Sequence, residues 1–296
     1  MKASEKRAKL VATIERGEFV TAPGIYDMIS AKIADRLPFN ALYMTGYGVA
    51  ASHLGVPDAG IASFGDVVSR VRLLASGTET PLICDGDTGF GGLLNVHHTV
   101  RGYEDAGCAA IQMEDQESPK KCGHTPDRRV VPTEDMVDKI KVAAAARRDP
   151  NFLIIARTDS RTGLGLDEAI RRGHAFAQAG ADIIFVEAPE SLDELKAVGA
   201  AFDKPVLANM ADGGHTPILS AKELQEIGFS LAIFPGLGML AAGAALDNAY
   251  RTLLADGTSA GVKDEMIALT EMHGIMGFED VWAFERKWAR EDEAAE

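Results

Sequence analysis

The chain has 296 residues, 46% of them apolar and 25% charged, with a formal net charge of −14. That length and balance suit one large folded domain or two small ones, with a sizeable core, not a disordered chain. The acidic excess argues against nucleic acid or an anionic membrane as the main partner, although a small site can carry its own local field.

The first segment, "MKASEKRAKLVATIERG", reads as an amphipathic helix without an apolar signal core, and no apolar run is long enough to span a bilayer. Eight short apolar runs follow. They are "FVTAPGI" (19–25), "ALYMT" (41–45), "PLICDGD" (81–87), "AAIQMED" (109–115), "FLIIART" (152–158), "DIIFVEA" (182–188), "PVLANM" (205–210) and "LAIFPG" (231–236). Helical patterns separate them, among them "SFGDVVSRVRLLASG", "TEDMVDKIKVAAAARR", "LDEAIRRGHAFAQAG" and "SLDELKAVGAAF". Near-continuous apolar strands alternating with helices imply a parallel sheet covered on both faces, and eight such units imply a (β/α)8 barrel. A doubly wound open sheet is the alternative, weakened by the lack of a GxGxxG fingerprint after the first strand. After the eighth run the chain reads as helices, "GMLAAGAALDNAYRTLLADG", "VKDEMIALTEMHGIM" and "FEDVWAFERKWAREDEAAE". The expected organisation is a single barrel domain over 1–296, with 240–296 as a helical extension.

The three cysteines, Cys84, Cys108 and Cys122, match no zinc motif or disulfide framework, and a reducing cytoplasm is the simplest setting for them. Polar residues gather where the apolar runs end: Asp85 and Asp87, Glu114 and Asp115, Arg157 and Asp159, Glu187, and Asn209. Barrel active sites lie at the C-terminal ends of the strands. Two residues apart on a strand, Asp85 and Asp87 would point the same way, and like charges side by side call for a cation. With Glu114 they form a hard-oxygen set suited to Mg²⁺ or Mn²⁺, and Mg²⁺ usually keeps several waters. The bland reading is a capping and turn network around "DTGFGG". The glycines of "TGYG" (45–48) let backbone approach a carboxylate closely. Arg157 suits a carboxylate or enolate oxygen, or a salt bridge to Glu187 or Asp159. Tyr43 is either a proton carrier or barrel packing.

"PKKCGHTPDRR" (119–129) sets Cys122 among Lys120, Lys121 and His124. A thiol so placed is expected below its free pKa of about 8.5. Gly123, with Pro119 and Pro126 at either side, suggests a loop with stiff ends that closes over a barrel mouth.

Taken together, "KKCGH", "CDGDTGFG", "IQMED", "IIARTD", "FVEA" and "LANMADGGHTP" resemble the isocitrate lyase/phosphoenolpyruvate mutase superfamily in order and spacing, over roughly residues 10 to 250. The resemblance implies a (β/α)8 TIM barrel, Mg²⁺, α-oxycarboxylate substrates, and a homotetramer built from dimers that exchange their last helices. By position it implies Asp87 as the direct metal ligand, with Asp85 and Glu114 acting through metal-bound water. Thr45, Gly46 and Tyr47 would hold the α-oxycarboxylate, with Gly123 also against the substrate and Asp58 near the metal. Arg157 would steady the oxyanion and Tyr43 would assist proton removal. Glu187 and Asn209 would complete the site, Lys120, Lys121 and His124 would help neutralise the leaving carboxylate, and Cys122 would be the general acid.

Two departures bear on the substrate. Leu240 stands near the place where similar methylisocitrate lyases carry an arginine, and Ala211 stands where they tend to carry threonine. A tricarboxylate therefore lacks two anchors. The pattern is closer to the 2,3-dimethylmalate lyase and oxaloacetate hydrolase branch, and implies cleavage of a 2-alkylmalate to pyruvate and a short monocarboxylate. Methylisocitrate lyase, oxaloacetate hydrolase or decarboxylase, and carboxyphosphonoenolpyruvate-type phosphonomutase chemistry are the alternatives. From another class, a non-catalytic barrel that binds a 2-oxo acid is a further alternative.

Overall fold

A computed structural model describes residues 1–123, 125 and 127–289. Eight strands, β1 (Val20–Ile25), β2 (Leu42–Met44), β3 (Leu82–Asp85), β4 (Ala110–Glu114), β5 (Leu153–Thr158), β6 (Ile183–Val186), β7 (Val206–Asn209) and β8 (Leu231–Phe234), pair in chain order and in parallel. β1 pairs with β8, so the sheet closes into the expected barrel. Every one of the eight apolar runs contains its strand, each trimmed by a residue or more. The polar residues at the ends of those runs fall at or just beyond the strand ends, on the face where the loops begin.

The helices are α1 (Ala3–Glu15), α2 (Met28–Asp35), α3 (Gly46–Val49), α4 (Phe64–Gly77), α5 (Leu93–Ala106), α6 (Thr133–Ala146), α7 (Ser160–Leu164), α8 (Leu166–Ala179), α9 (Leu192–Ala200), α10 (Ala221–Glu226), α11 (Leu237–Asp256), α12 (Leu269–Met276) and α13 (Phe278–Trp288). Several start at a serine whose side chain accepts the backbone N–H three residues on: Ser63 from Asp66, Ser191 from Glu194 and Ser220 from Glu223. These are the S-x-x-D/E signatures of helix N-termini, written in the sequence.

Two apolar layers hold the barrel. Inside lie Ala22, Ile83, Ala110, Ile155, Phe185, Leu207 and Ile233, with Leu10 of α1 packed into the same cluster. Between strands and helices lie Leu42, Met44, Val71, Leu74, Ile111, Phe152, Ile154 and Phe176, all without exposure. The strands are buried on both faces, which is why they read as unbroken apolar runs.

The chain divides into Met1–Met239, the barrel, and a second unit, Leu240–Glu296. In the second unit the stretch read as one helix, 262–276, is instead a 3₁₀ turn (Ala260–Glu265) and α12, separated by extended backbone at Met266 and Ala268. Among the described residues no helix is long and apolar enough to cross a membrane.

Candidate active site

At the C-terminal ends of the strands lies a cavity of about 60 Å³. Tyr43, Thr45 and Tyr47 line it from β2 and the turn beyond, Asp85 from β3, Glu114 from β4, Arg157 from β5, Glu187 from β6 and Asn209 from β7. Pro235 closes it after β8, Asp58 adds one wall, and Lys120, Lys121, Cys122 and Gly123 cover it. Residues spread over 190 positions of sequence meet here because parallel register aligns them. Glu114 pairs with Arg157 across β4 and β5, and Asp85 with Gln112 across β3 and β4.

Arg157 is the centre of the charge network. Its Nε and Nη2 donate to Asp159 Oδ2 and Oδ1, both at 2.8 Å, and its Nη1 faces Glu187 Oε2 at 3.1 Å. Its Nε also lies 3.3 Å from Glu114 Oε2, and the guanidinium stacks 5.1 Å above the Phe185 ring. Burial opposes its charge, but Asp159, Glu187 and Glu114 outweigh burial and keep it protonated. Asn209 Nδ2 donates to both oxygens of Glu187, at 3.2 and 3.1 Å. Both sequence alternatives for Arg157 therefore hold together: it is salt-bridged and it faces the cavity.

Asp58, Asp85, Asp87 and Glu114 form an acidic cluster beside it. The Nζ of Lys120 is bonded to Asp58 Oδ1 and lies 2.7 Å from Asp87 Oδ1. Burial disfavours the Lys120 charge, but Asp87, Glu114, Asp85 and Asp58 outweigh it and hold the ammonium charged. Burial, with Asp85 and Asp58 adding to it against the opposing pull of Lys120, raises the Asp87 carboxyl to about 6. Burial likewise pushes Glu114 well above the usual carboxylate range, against the pull of Arg157. The cluster thus holds more carboxylate than Lys120 and Arg157 neutralise.

Glu114 Oε1 is buried and has no hydrogen-bond partner among the described residues. An orphaned carboxylate oxygen in an acidic, all-oxygen cluster fits a hard divalent cation with its own water shell. Among the described residues no three His, Cys, Asp or Glu side chains converge as a ready-made cage. A hydrated ion touching one or two carboxylates suits such a site better than a fully protein-liganded one.

The reason given in sequence for pairing Asp85 with Asp87 needs correction. β3 ends at Asp85, and Asp87 lies beyond it with φ +47°, in the left-handed region. A turn, not strand alternation, brings it back to the cluster. The Asp87 N–H donates to Asp85 Oδ1 at 3.2 Å, fixing that turn. Asp87 does not line the main cavity; it lines a smaller neighbouring one together with Asp58 and Asp85.

Two other expected site residues have protein partners in the unliganded site. The Gly46 N–H, expected at a substrate carboxylate, donates to Asp85 Oδ2 at 3.2 Å. A Cβ there would lie 2.5 Å from the same oxygen, so glycine is needed for close approach to Asp85. Tyr43 donates its hydroxyl to Gln112 Oε1 at 3.0 Å. Burial first, then Asp85, raises its phenol well above the usual value, which favours the protonated, hydrogen-bond-donating form in the unliganded site.

The loop from β4 to α6 starts with a narrow neck. Gln116 bridges Val130 in antiparallel fashion, and its side-chain amide exchanges two hydrogen bonds with the Lys121 backbone, at 2.9 and 3.0 Å. The Cys122 N–H donates to the Asp58 carbonyl at 3.0 Å, tying the loop across the mouth. Cys122 is half-buried, not exposed as its composition suggested, and Lys120 points its charge into the acidic cluster. Gly123 is buried against Arg157 and Glu187. Lys121 is exposed at its surface and lines the cavity edge. His124 lies outside the described residues. Sequence reading set Lys120 against the leaving carboxylate and missed its pairing with Asp58 and Asp87, and it did not pick out Gln112 or Pro235. A lysine next to the loop thiol was the only available signal for the first.

The fold and the site define a (β/α)8-barrel enzyme whose acidic centre lies beneath a loop carrying a thiol. The chain belongs to the phosphoenolpyruvate phosphomutase family, whose model matches residues 10–254, and it is a lyase of the isocitrate lyase/phosphoenolpyruvate mutase superfamily. It is 45% identical over 282 residues to 2,3-dimethylmalate lyase of Eubacterium barkeri, covering 95% of this chain and 98% of that one. The solved structure of oxaloacetate acetylhydrolase with 3,3-difluorooxalacetate matches with a TM-score of 0.90 at 34% identity, over 97% of both chains. Phosphonopyruvate hydrolase, solved with oxalate and Mg²⁺, matches with a TM-score of 0.87 at 31% identity, over 98% of this chain and 100% of that one.

Proposed function

We propose that the protein is a Mg²⁺-dependent carbon–carbon lyase that splits a 2-alkylmalate into pyruvate and a short monocarboxylate. The observation that carries this reading is the placing of Cys122, on the loop, against the same small cavity as Thr45, Glu114 and Arg157. The 45% identity to a 2,3-dimethylmalate lyase along nearly the whole chain supports the choice of substrate.

In the proposed reaction the C2 hydroxyl proton passes to the carboxylate cluster. The C2–C3 bond breaks, C2 becomes the ketone carbon of pyruvate, and the electron pair moves onto C3 and its carboxylate. The Cys122 thiol then delivers a proton to C3 and leaves as thiolate, to be reprotonated before the next turnover. Mg²⁺, with Asp87, Asp85 and Glu114 as its residues, would polarise the C2 oxygen and stabilise its charge. Arg157, held rigid by three carboxylates, faces the charge that develops on the substrate oxygens. Thr45 and Tyr47 frame the α-oxycarboxylate, and Lys121 offsets the charge of the departing carboxylate. Tyr43, kept protonated, steadies Gln112 and through it Asp85 (the two lie 3.4 Å apart). Loop closure excludes water from the carbanion.

The test is a coupled pyruvate-release assay on 2,3-dimethylmalate and related alkylmalates, with and without Mg²⁺, beside Cys122→Ser. Release that needs both Mg²⁺ and Cys122 is expected. Pyruvate release indifferent to Cys122→Ser would remove the thiol from the mechanism. Hydrolysis of oxaloacetate is the second reading, favoured by the match to oxaloacetate acetylhydrolase, and is followed separately by oxaloacetate disappearance. We also propose a homotetramer with exchanged terminal helices. The helices of the second unit, α12 and α13, bury none of their residues, and Phe284 and Trp288 are largely exposed. Light scattering at the mass of four chains is the expected result.

A further inference from the structure

Arg128 departs from its surroundings in the β4–α6 loop. Thr125, Asp127 and Arg129 are exposed, yet the Arg128 side chain is only 3% exposed. Its Nη1 donates to Asp159 Oδ1 at 2.6 Å, its Nη2 to Thr162 Oγ1 at 2.7 Å, and its Nε to the Thr125 carbonyl at 3.2 Å. A buried guanidinium is tolerated when its charge is paired and its nitrogens find acceptors, and here each of the three nitrogens donates one hydrogen bond.

The partner carboxylate is shared. Asp159 Oδ1 also accepts Arg157 Nη2, and Asp159 Oδ2 accepts Arg157 Nε. One fully buried carboxylate therefore grips one guanidinium from the loop and one from the centre of the site. Asp159 itself cannot drift. Its N–H donates to Asp115 Oδ1 at 2.8 Å, and Asp115 is held in turn by the Thr158 hydroxyl and by Arg172 Nη1, at 2.7 and 2.9 Å. At the loop tip, Gly123 meets Arg157 directly. The loop thus reaches Arg157 twice, once by backbone contact and once through Asp159.

The centre beneath is nearly sealed: Glu114, Arg157 and Lys120 are all buried. Arg128 adjoins the loop's neck, where the Glu117 N–H donates to the Arg129 carbonyl at 2.9 Å, so a displacement of the loop that reaches residue 128 breaks its pair with Asp159. Without Arg128, Asp159 holds Arg157 alone and draws more of its charge away from the cavity.

We infer that Arg128 is a positioning residue that latches the Cys122 loop to Asp159 and, through that carboxylate, readies Arg157 for the substrate only when the loop is closed. The kinetic part of this inference rests on the lyase reading above; the latch itself does not.

The test uses the full-length protein with Arg128→Met, Arg128→Lys and Thr162→Val. Two readouts are taken: pyruvate-release kinetics, and the rate at which iodoacetamide alkylates Cys122 in the unliganded protein. Cys84 and Cys108 are fully buried, so alkylation reports Cys122. Losing charged hydrogen bonds is expected to lower kcat in R128M by about tenfold or more, with KM changed less than about threefold, and to speed Cys122 alkylation by about tenfold. R128K keeps the charge but not the fork to two oxygens, and is expected between R128M and wild type. T162V loses one bond and is expected to speed alkylation a few-fold. A merely structural role would lower thermal stability and leave these two readouts together at wild-type values in the folded variants. Should R128M not fold, R128K and T162V decide by the same criteria. Unchanged alkylation and unchanged kcat in the folded variants overturn the latch. A wild type inactive on every alkylmalate, with Cys122 still unmasked by the variants, overturns the lyase reading and leaves the latch standing.

Discussion

Gly123→Ala is the sharpest probe of how the loop meets the site. A Cβ at Gly123 would lie 2.3 Å from Arg157 Nη2 and 3.2 Å from the Glu187 carboxyl carbon. Ordinary contact begins near 3.4 Å, so something must move by about 1 Å. Usually the tip of an arginine yields easily. This one is pinned by two 2.8 Å bonds to Asp159 and by Glu187 at 3.1 Å, and it is only 7% exposed. The loop must therefore lift, carrying Cys122 with it. A displacement of about 1 Å of a catalytic group costs on the order of a hundredfold in rate. The expected result is a fall of that order in kcat for pyruvate release, with a thermal transition close to wild type, because the barrel core is untouched. Circular dichroism melts and steady-state kinetics on the same preparation make the comparison. G123A with wild-type kcat would mean that Arg157 gives way after all, and that its rigidity has been overstated.

Three further outcomes are expected. Tyr43→Phe removes the bond to Gln112 Oε1 and should lower kcat/KM by roughly tenfold. Because burial keeps that phenol protonated, the rise of rate with pH should be the same in Y43F and wild type, and its loss in Y43F would make Tyr43 the base. Glu168 is lowered from its ordinary 4.5 to about 2, chiefly by hydrogen bonds from Arg171, with burial opposing and Arg172 adding. A depressed carboxylate stabilises the fold above its unfolded pKa, and that contribution is lost as pH falls toward the folded value. Glu168→Gln should therefore cost about 1 kcal/mol at neutral pH, after allowance for solvent screening, and the gap to wild type in urea melts should close as pH drops from about 5 to about 2. Phe176→Ala in α8 empties a fully buried position between strands and helices and should cost about 3–5 kcal/mol in denaturant unfolding, against well under 1 for an exposed site such as Leu164.

The barrel was legible because its strands are buried on both faces, so each reads as an apolar run, and because polar residues cluster where each run stops. Serine N-caps such as Ser63 and Ser220 were legible for the same local reason: the cap and its partner lie three residues apart. The cavity-lining residues Thr45, Asp85, Glu114, Arg157, Glu187 and Asn209 followed from their places at strand ends. What those residues touch did not follow. Strand alternation was the wrong reason for Asp85 and Asp87, since the second sits in a left-handed turn. The Gly46 amide belongs to Asp85, the Tyr43 phenol to Gln112, the Lys120 ammonium to Asp58 and Asp87, and Arg128 to the same carboxylate as Arg157.

The sequence by itself determined the elements and their order, because hydrophobic period, caps and breakers act over a few residues. Only the tertiary structure decided which charge neutralises which. Those pairings depend on strand register and on the path of one loop, through which residues 31 to 69 positions apart come within hydrogen-bonding distance.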